Sequence, residues 1–119
     1  MPPLVLAVLI GLLSGAVAAL CGVGGGIIMV PFFVLLMGME QKTAVATSLA
    51  AIVLTALLAS ARNHVNHFID WRIAIASGLA GATVAWFAAD ALKHLSNATL
   101  TRIFAVVLIL VGVRMLFQK

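Results

Sequence analysis

The chain has 119 residues, of which 65% are hydrophobic and 8% charged, with a formal net charge of +4 and a mean hydropathy of +1.28. No soluble domain of this length needs so much apolar surface, so the composition places the chain in a membrane. The few cations are spread along the sequence and form no basic patch, which excludes nucleic acid as a partner class. Cys21 is the only cysteine, so no disulfide within the chain is possible.

In chain order, five apolar segments separate at polar islands. Segment A runs from about Pro3 to Cys21. It lacks a basic leader and a small-x-small cleavage site before a polar start, so it is expected to stay in the mature protein rather than act as a signal peptide. Segment B runs from about Gly26 to Met39, and Glu40-Gln41-Lys42-Thr43 ends it. Segment C spans about Ala44 to Ala61. A long polar island from Arg62 to Arg72 follows, then segment D from about Ile73 to Leu92. Lys93 to Thr99 precedes segment E, about Leu100 to Phe117, for which Ser96 or Asn97 is a candidate cap. Asp70 and Arg72 read as anchors for the start of D. Asp90 and Lys93, one helical turn apart, read as a local pair. All 119 residues form a single transmembrane domain in this reading, with no soluble domain or linker.

No charged residue occurs from Pro2 to Met39, and the middle of that stretch is Gly22-Val23-Gly24-Gly25-Gly26, followed by Ile27-Ile28-Met29-Val30-Pro31. One helix from Pro3 to Gly38 would be about 54 Å long at 1.5 Å per residue, against a hydrocarbon core of about 30 Å. Clustered glycines disfavour a continuous helix. Non-helical backbone at membrane depth is tolerated only inside protein or along a water-filled cavity. The expected fold is therefore all-α and polytopic, with a glycine-broken helical hairpin from A and B plus three spanning helices. A and B either both cross or both dip in as a re-entrant hairpin; a single broken, tilted span is the alternative. Gly11 and Gly15 form a G-x-x-x-G pair that reads as helix packing.

With A and B as two legs, one membrane face holds Lys42, Lys93, Arg102 and the N-terminal amine. The other holds Arg62, Arg72, Arg114 and Lys119. Such balance sets no firm orientation. An odd number of crossings with balanced charge permits insertion both ways, which motivates a hypothesis of an antiparallel homodimer equivalent to an inverted repeat.

The run Gly22 to Pro31 resembles the signature of the TauE/SafE family of sulfite-exporter-like membrane transporters. Lys42-Thr43-Ala44-Val45-Ala46-Thr47-Ser48-Leu49 is similar to that family's second recurring stretch, and Asn63-His64 with Ile69-Asp70-Trp71-Arg72 to its next loop. The ending, Arg102-Ile103-Phe104-Ala105 through Val113-Arg114-Met115-Leu116, also fits. The likeness covers essentially the whole chain, and four stretches in this order make it specific. Family members commonly carry two such repeats, whereas this chain carries one, so the resemblance implies self-association.

The resemblance also implies transport of small sulfur-containing anions of the sulfite, sulfonate or sulfoacetate type. It further implies proton coupling, no cofactor, and an inner-membrane, multi-pass location. Nothing in the spacing itself says sulfur. The residues agree with the anion: a helix opened at the glycines would present orphan N–H groups and a partial positive charge. The candidate substrate-binding residues are Gly22, Gly24, Gly25, Gly26, Thr47, Ser48, Asn63 and His64. For Thr47 and Ser48 the competing reading is a bond to their own helix backbone; for His64 and His67 the readings are an interfacial loop and, as the other reading, proton coupling or substrate contact. No third ligand accompanies the two histidines, which argues against a metal site. No nucleophile–base pair lies within the spans, which argues against an enzyme. The acidic residues Glu40, Asp70 and Asp90 all lie near segment ends, which argues against a small dual-topology exporter of cations. A non-transporting membrane subunit is the remaining alternative.

Overall fold

The computed structural model describes residues 2–118. Met1 and Lys119, the latter one of the cations assigned to a membrane face above, lie outside the described residues. Five helices form: α1 (Pro3–Cys21), α2 (Gly26–Met37), α3 (Gln41–Val65), α4 (Trp71–Ala91) and α5 (Asn97–Leu116), with a 3₁₀ turn at Leu92–His94 extending α4. No strand occurs among the described residues. Four of the helices are long and apolar enough to cross a membrane; α2 is not. At 12 residues, α2 reaches only about 18 Å.

α3, α4 and α5 begin further into the polar islands than the apolar segments do, and α3 also ends further in, whereas α2 stops at Met37, short of the end of segment B. α3 starts at Gln41 and runs to Val65, because helix is the one structure that keeps backbone groups paired across the membrane interface. The caps follow the local chemistry. The Asp70 carboxylate accepts from the N–H groups of Arg72 and Ile73 at 3.1 and 3.3 Å, and Ser96 Oγ accepts from Thr99 N–H at 3.1 Å. Replacing Ser96 by alanine should cost about 1 kcal/mol of stability, read as a lower thermal midpoint in detergent with unchanged helix content. Lys93 and Asp90 pair at 3.3 Å in full view of solvent, an arrangement that adds little stability.

α1 and α2 fold back on each other rather than forming one broken span. Leu6, Leu9, Ile10 and Leu13 of α1 face Phe32 and Leu36 of α2, while the start of α2 lies against Ser14 and Ala18. That pairing is antiparallel. α3 then returns along α2: its midpoint residue Ile52 lies against Gly26 at the head of α2, and only Gly38 to Glu40 connect the two helices. The packed core sits here, with Ile10, Met29, Val30, Phe33 and Ala44 buried together. At the far end, Lys42 N–H donates to Asn97 Oδ1 at 3.2 Å, which brings the start of α5 beside the start of α3. Lys42, Lys93 and Arg102 therefore belong to one end of the molecule and Arg62 and Arg72 to the other, as hairpin legs require.

α4 and α5 bury no residue. α5 packs on α3, whereas α4 makes no extensive contact with any element except its own 3₁₀ extension. The two halves of the chain thus differ: a tight three-helix unit carries the glycines, and two helices offer nearly all their surface outward.

A candidate anion cleft at the head of a half-length helix

The glycine run is the reason α2 is short. Gly22, Gly24 and Gly25 have φ of 71°, 73° and 79°, the left-handed region where a side chain is strained. Gly22 ends α1, its N–H donating to Ala18 O at 2.9 Å. The chain then runs back alongside the last turns of α1, so that Gly25 lies level with Ser14, seven residues before the end of that helix. A Cβ on Gly25 would stand 3.0 Å from Ser14 O and 3.4 Å from Ser14 Cβ. Ser14 is fully buried and its hydroxyl donates to Ile10 O at 2.7 Å, so the wall behind Gly25 is fixed.

This return places the N-terminus of α2 at the mid-depth of the bundle. Ile52 props it from the other side, at 3.5 Å from a Cβ on Gly24 and 3.3 Å from one on Gly26. Ile28 and Met29 donate to Gly25 O at 3.0 and 2.9 Å. Gly24 and Gly25 form a turn that Gly26 N–H closes; among the described residues, no protein acceptor takes the N–H groups of Val23, Gly24, Gly25 or Ile27. A helix N-terminus with unused N–H groups carries about half a positive charge.

A cleft of about 170 Å³ opens beside this terminus, lined by Ala18, Ala19, Gly22, Gly24, Thr55, Ala56, Ala59, Ser60 and Asn63. It exists because its walls are alanine and glycine. It lies between the end of α1 and the second half of α3, extending from the glycines toward the α3–α4 corner. No charged side chain lines it. Thr55 Oγ1 donates to Ile52 O at 3.1 Å, which leaves its oxygen as an acceptor. Ser60 and Asn63 make no side-chain hydrogen bond within the chain among the described residues, so both are available to a ligand.

The candidate residues divide by position. Gly22, Gly24 and Asn63 line the cleft; Gly25 and Gly26 stand behind it as the turn and the helix head. Ser48 is 2% exposed, one turn before Ile52, and donates to Val45 O at 2.8 Å. Thr47 lies on the outward side of α3. His64 is exposed, outside the cleft lining, and its Nδ1 accepts from Trp71 Nε1–H at 3.1 Å. Thr55, Ala56, Ala59 and Ser60 were not singled out from the sequence. Their signal was there: positions 52, 55, 56, 59, 60 and 63 repeat at helical spacing and are small or polar after Ile52. Among the described residues no group of His, Cys, Asp or Glu could hold a metal ion.

Four membrane-length helices, a half-length fifth whose N-terminus opens at mid-depth, and a small uncharged cleft beside it define a multi-pass membrane protein built like a solute transporter. The chain belongs to the sulfite exporter TauE/SafE family, whose model matches residues 3–119. It is 31% identical over 113 residues to "Probable membrane transporter protein YunE" of Bacillus subtilis (strain 168), covering 92% of this chain and 40% of that protein. A "Probable membrane transporter protein" of Xylella fastidiosa (strain 9a5c) is 28% identical over 116 residues, covering 92% of this chain and 43% of its own length. One of the same description from Haemophilus influenzae (strain ATCC 51907 / DSM 11121 / KW20 / Rd) is 36% identical over 76 residues, 58% of this chain and 29% of that protein. The chain thus spans about two-fifths of the length of the first two relatives. No solved structure matches it.

Proposed function

We propose that the chain carries small sulfur-containing anions, of the sulfite, sulfonate or sulfoacetate type, across the inner membrane as a proton-coupled secondary carrier and not as an enzyme. The observation that carries this reading is the head of α2, held at mid-depth by Ser14 and Ile52 with unused N–H groups beside the cleft. An oxyanion matches it, since its oxygens accept several hydrogen bonds at once and its charge opposes the helix dipole. In the bound state we assign the Gly24 amide, Ser60 and Asn63 as donors. We propose further that the working unit is a homodimer, antiparallel as the balanced charges suggest. One chain supplies one glycine turn, and α4 and α5 leave nearly all their surface for a partner or lipid.

Flux of sulfite and methanesulfonate into proteoliposomes containing the purified protein tests the reading. Uptake above protein-free vesicles is expected, and no flux of any sulfur oxyanion by folded protein would remove it. The lining also sets an order among anions. The cost of dehydrating an ion grows steeply with its charge, while the cleft offers only a helix terminus and neutral donors. Methanesulfonate, with one charge, is expected to compete for uptake at least tenfold more effectively than sulfate, with two. Equal competition by sulfate would mean that a cationic side chain reaches the site.

A further inference from the structure

We propose that His64 and Trp71 form a proton-sensitive latch that sets how α4 is held on α3. Trp71 is the first residue of α4, and its Nε1–H donates to His64 Nδ1 at 3.1 Å. The two rings meet edge to face, with centroids 5.4 Å apart and planes at 69°. Among the described residues this is the one side-chain hydrogen bond that joins α3 to α4. Because α4 buries no residue and packs extensively on no other long helix, the corner supplies its side-chain attachment to α3, while its far end continues through the 3₁₀ turn into α5.

The bond depends on the charge of His64. A neutral imidazole with its proton on Nε2 accepts at Nδ1, whereas an imidazolium carries protons on both nitrogens and accepts nothing. Imidazole is the side chain that changes charge between about pH 5 and 8. Proton uptake by His64 therefore opens the latch and leaves two donors facing each other. The ionisable neighbours are Arg62 on α3, His67 and Asp70 in the corner, and Arg72 on α4, with Cys21 at the adjoining end of α1. The Asp70 carboxylate is engaged by the N–H groups of Arg72 and Ile73, so it caps α4 rather than pairing with His64.

The corner transmits the change. His67 sits in the left-handed region, at φ 60°, and its N–H donates to His64 O at 3.0 Å, while Phe68 N–H donates to Asn63 O at 3.1 Å. Asn63 lines the cleft. The same tight turn thus ties the latch to a cleft residue, and its consequence for carriage rests on the function proposed above. Proton binding at His64 would release α4 at the end of the molecule to which the cleft extends.

The test needs no transport. Spin labels at Leu54→Cys on α3 and Leu79→Cys on α4, both exposed positions, are placed in a Cys21→Ser chain in lipid nanodiscs. Their distance distribution is measured at pH 7.5 and 5.5. A narrow distribution that widens at pH 5.5 is expected, with His67→Gln behaving like the parent and Trp71→Phe wide at both pH values. A parent distribution that ignores pH would overturn the latch, as would a His67→Gln variant that abolishes the response or a Trp71→Phe variant that keeps it. Should Trp71→Phe fail to fold, a Trp86→Phe chain leaves Trp71 as the sole tryptophan. Its emission should then titrate with one proton, and the titration should vanish in His64→Gln; persistence there sinks the proposal. A working latch with no flux would remove the transport reading alone, and flux with no pH response would remove the latch alone.

Discussion

Replacing Gly25 by alanine should unfold the glycine turn, at a cost of at least about 2 kcal/mol. Two independent effects add. A residue with a Cβ in the left-handed region costs about 1–2 kcal/mol relative to its preferred conformation, and Gly25 has φ 79°. Overpacking a fixed wall adds about 1–3 kcal/mol, because the new Cβ would stand 3.0 Å from the Ser14 carbonyl oxygen. That oxygen belongs to a helical residue that is fully buried, so it has nowhere to retreat. Gly22→Ala separates the two terms. Gly22 has φ 71° and nothing within 4 Å of its would-be Cβ, so it should lose only the conformational part, about 1–2 kcal/mol. Thermal unfolding of both variants in the same detergent measures the difference. Equal losses would mean that Ser14 does not fix the depth of the turn.

The second large effect concerns the cleft. Ala59→Leu should leave the helices intact and reduce sulfonate flux more than tenfold, which corresponds to about 1.4 kcal/mol or more. Leucine is a good helix former, and Ala59 is only half-buried, so folding has no reason to fail. The added carbons, however, enter a cavity of about 170 Å³ whose walls are alanine and glycine. Leu58→Ala is the matched control: Leu58 is 72% exposed and lies outside the lining, so its truncation should leave flux close to the parent. Full activity of Ala59→Leu in proteoliposomes would show that the substrate does not pass this cleft.

Much of the fold could be read from the residues. The uncharged run from Pro2 to Met39 demanded helix, and its length demanded a break. The glycines fixed where the break falls, and the α1 bounds agree with the apolar segment. The other helix ends were less legible. Gln41, Arg62 and Asn97 read as polar punctuation, yet each lies within a helix, because a membrane helix keeps its hydrogen-bond ladder through the interface while its polar side chains stay wet. Ser96 was legible as a cap because capping is a local property; Asp70 read only as an anchor for the start of segment D, and its role as the cap of α4 came from the structure.

The candidate site was legible only in part. Gly22, Gly24 and Asn63 carry local signals: positive φ for two of them, a polar group in a membrane helix for the third. Ser60 and Ala59 do not, since a serine or alanine on a long helix means nothing until its face is known. His64 shows the opposite case. Its chemistry made it a candidate for the anion, but Trp71, seven residues on, takes its Nδ1, and no spacing rule predicts that partner across a corner set by His67 at positive φ.

By itself, then, the sequence determined the membrane class, the five helices, the break at Gly22 to Gly26 and the family likeness. Each of these follows from composition, length and local backbone preference. The tertiary structure alone decided the depth of α2, because that depends on Ser14 and Ile52, 11 residues before and 27 residues after Gly25, closing on the turn from Gly24 to Gly26 from two sides. It also decided that the cleft has no charged wall and that α4 packs extensively on no other long helix. Both are properties of how helices pack, which short-range pattern does not encode.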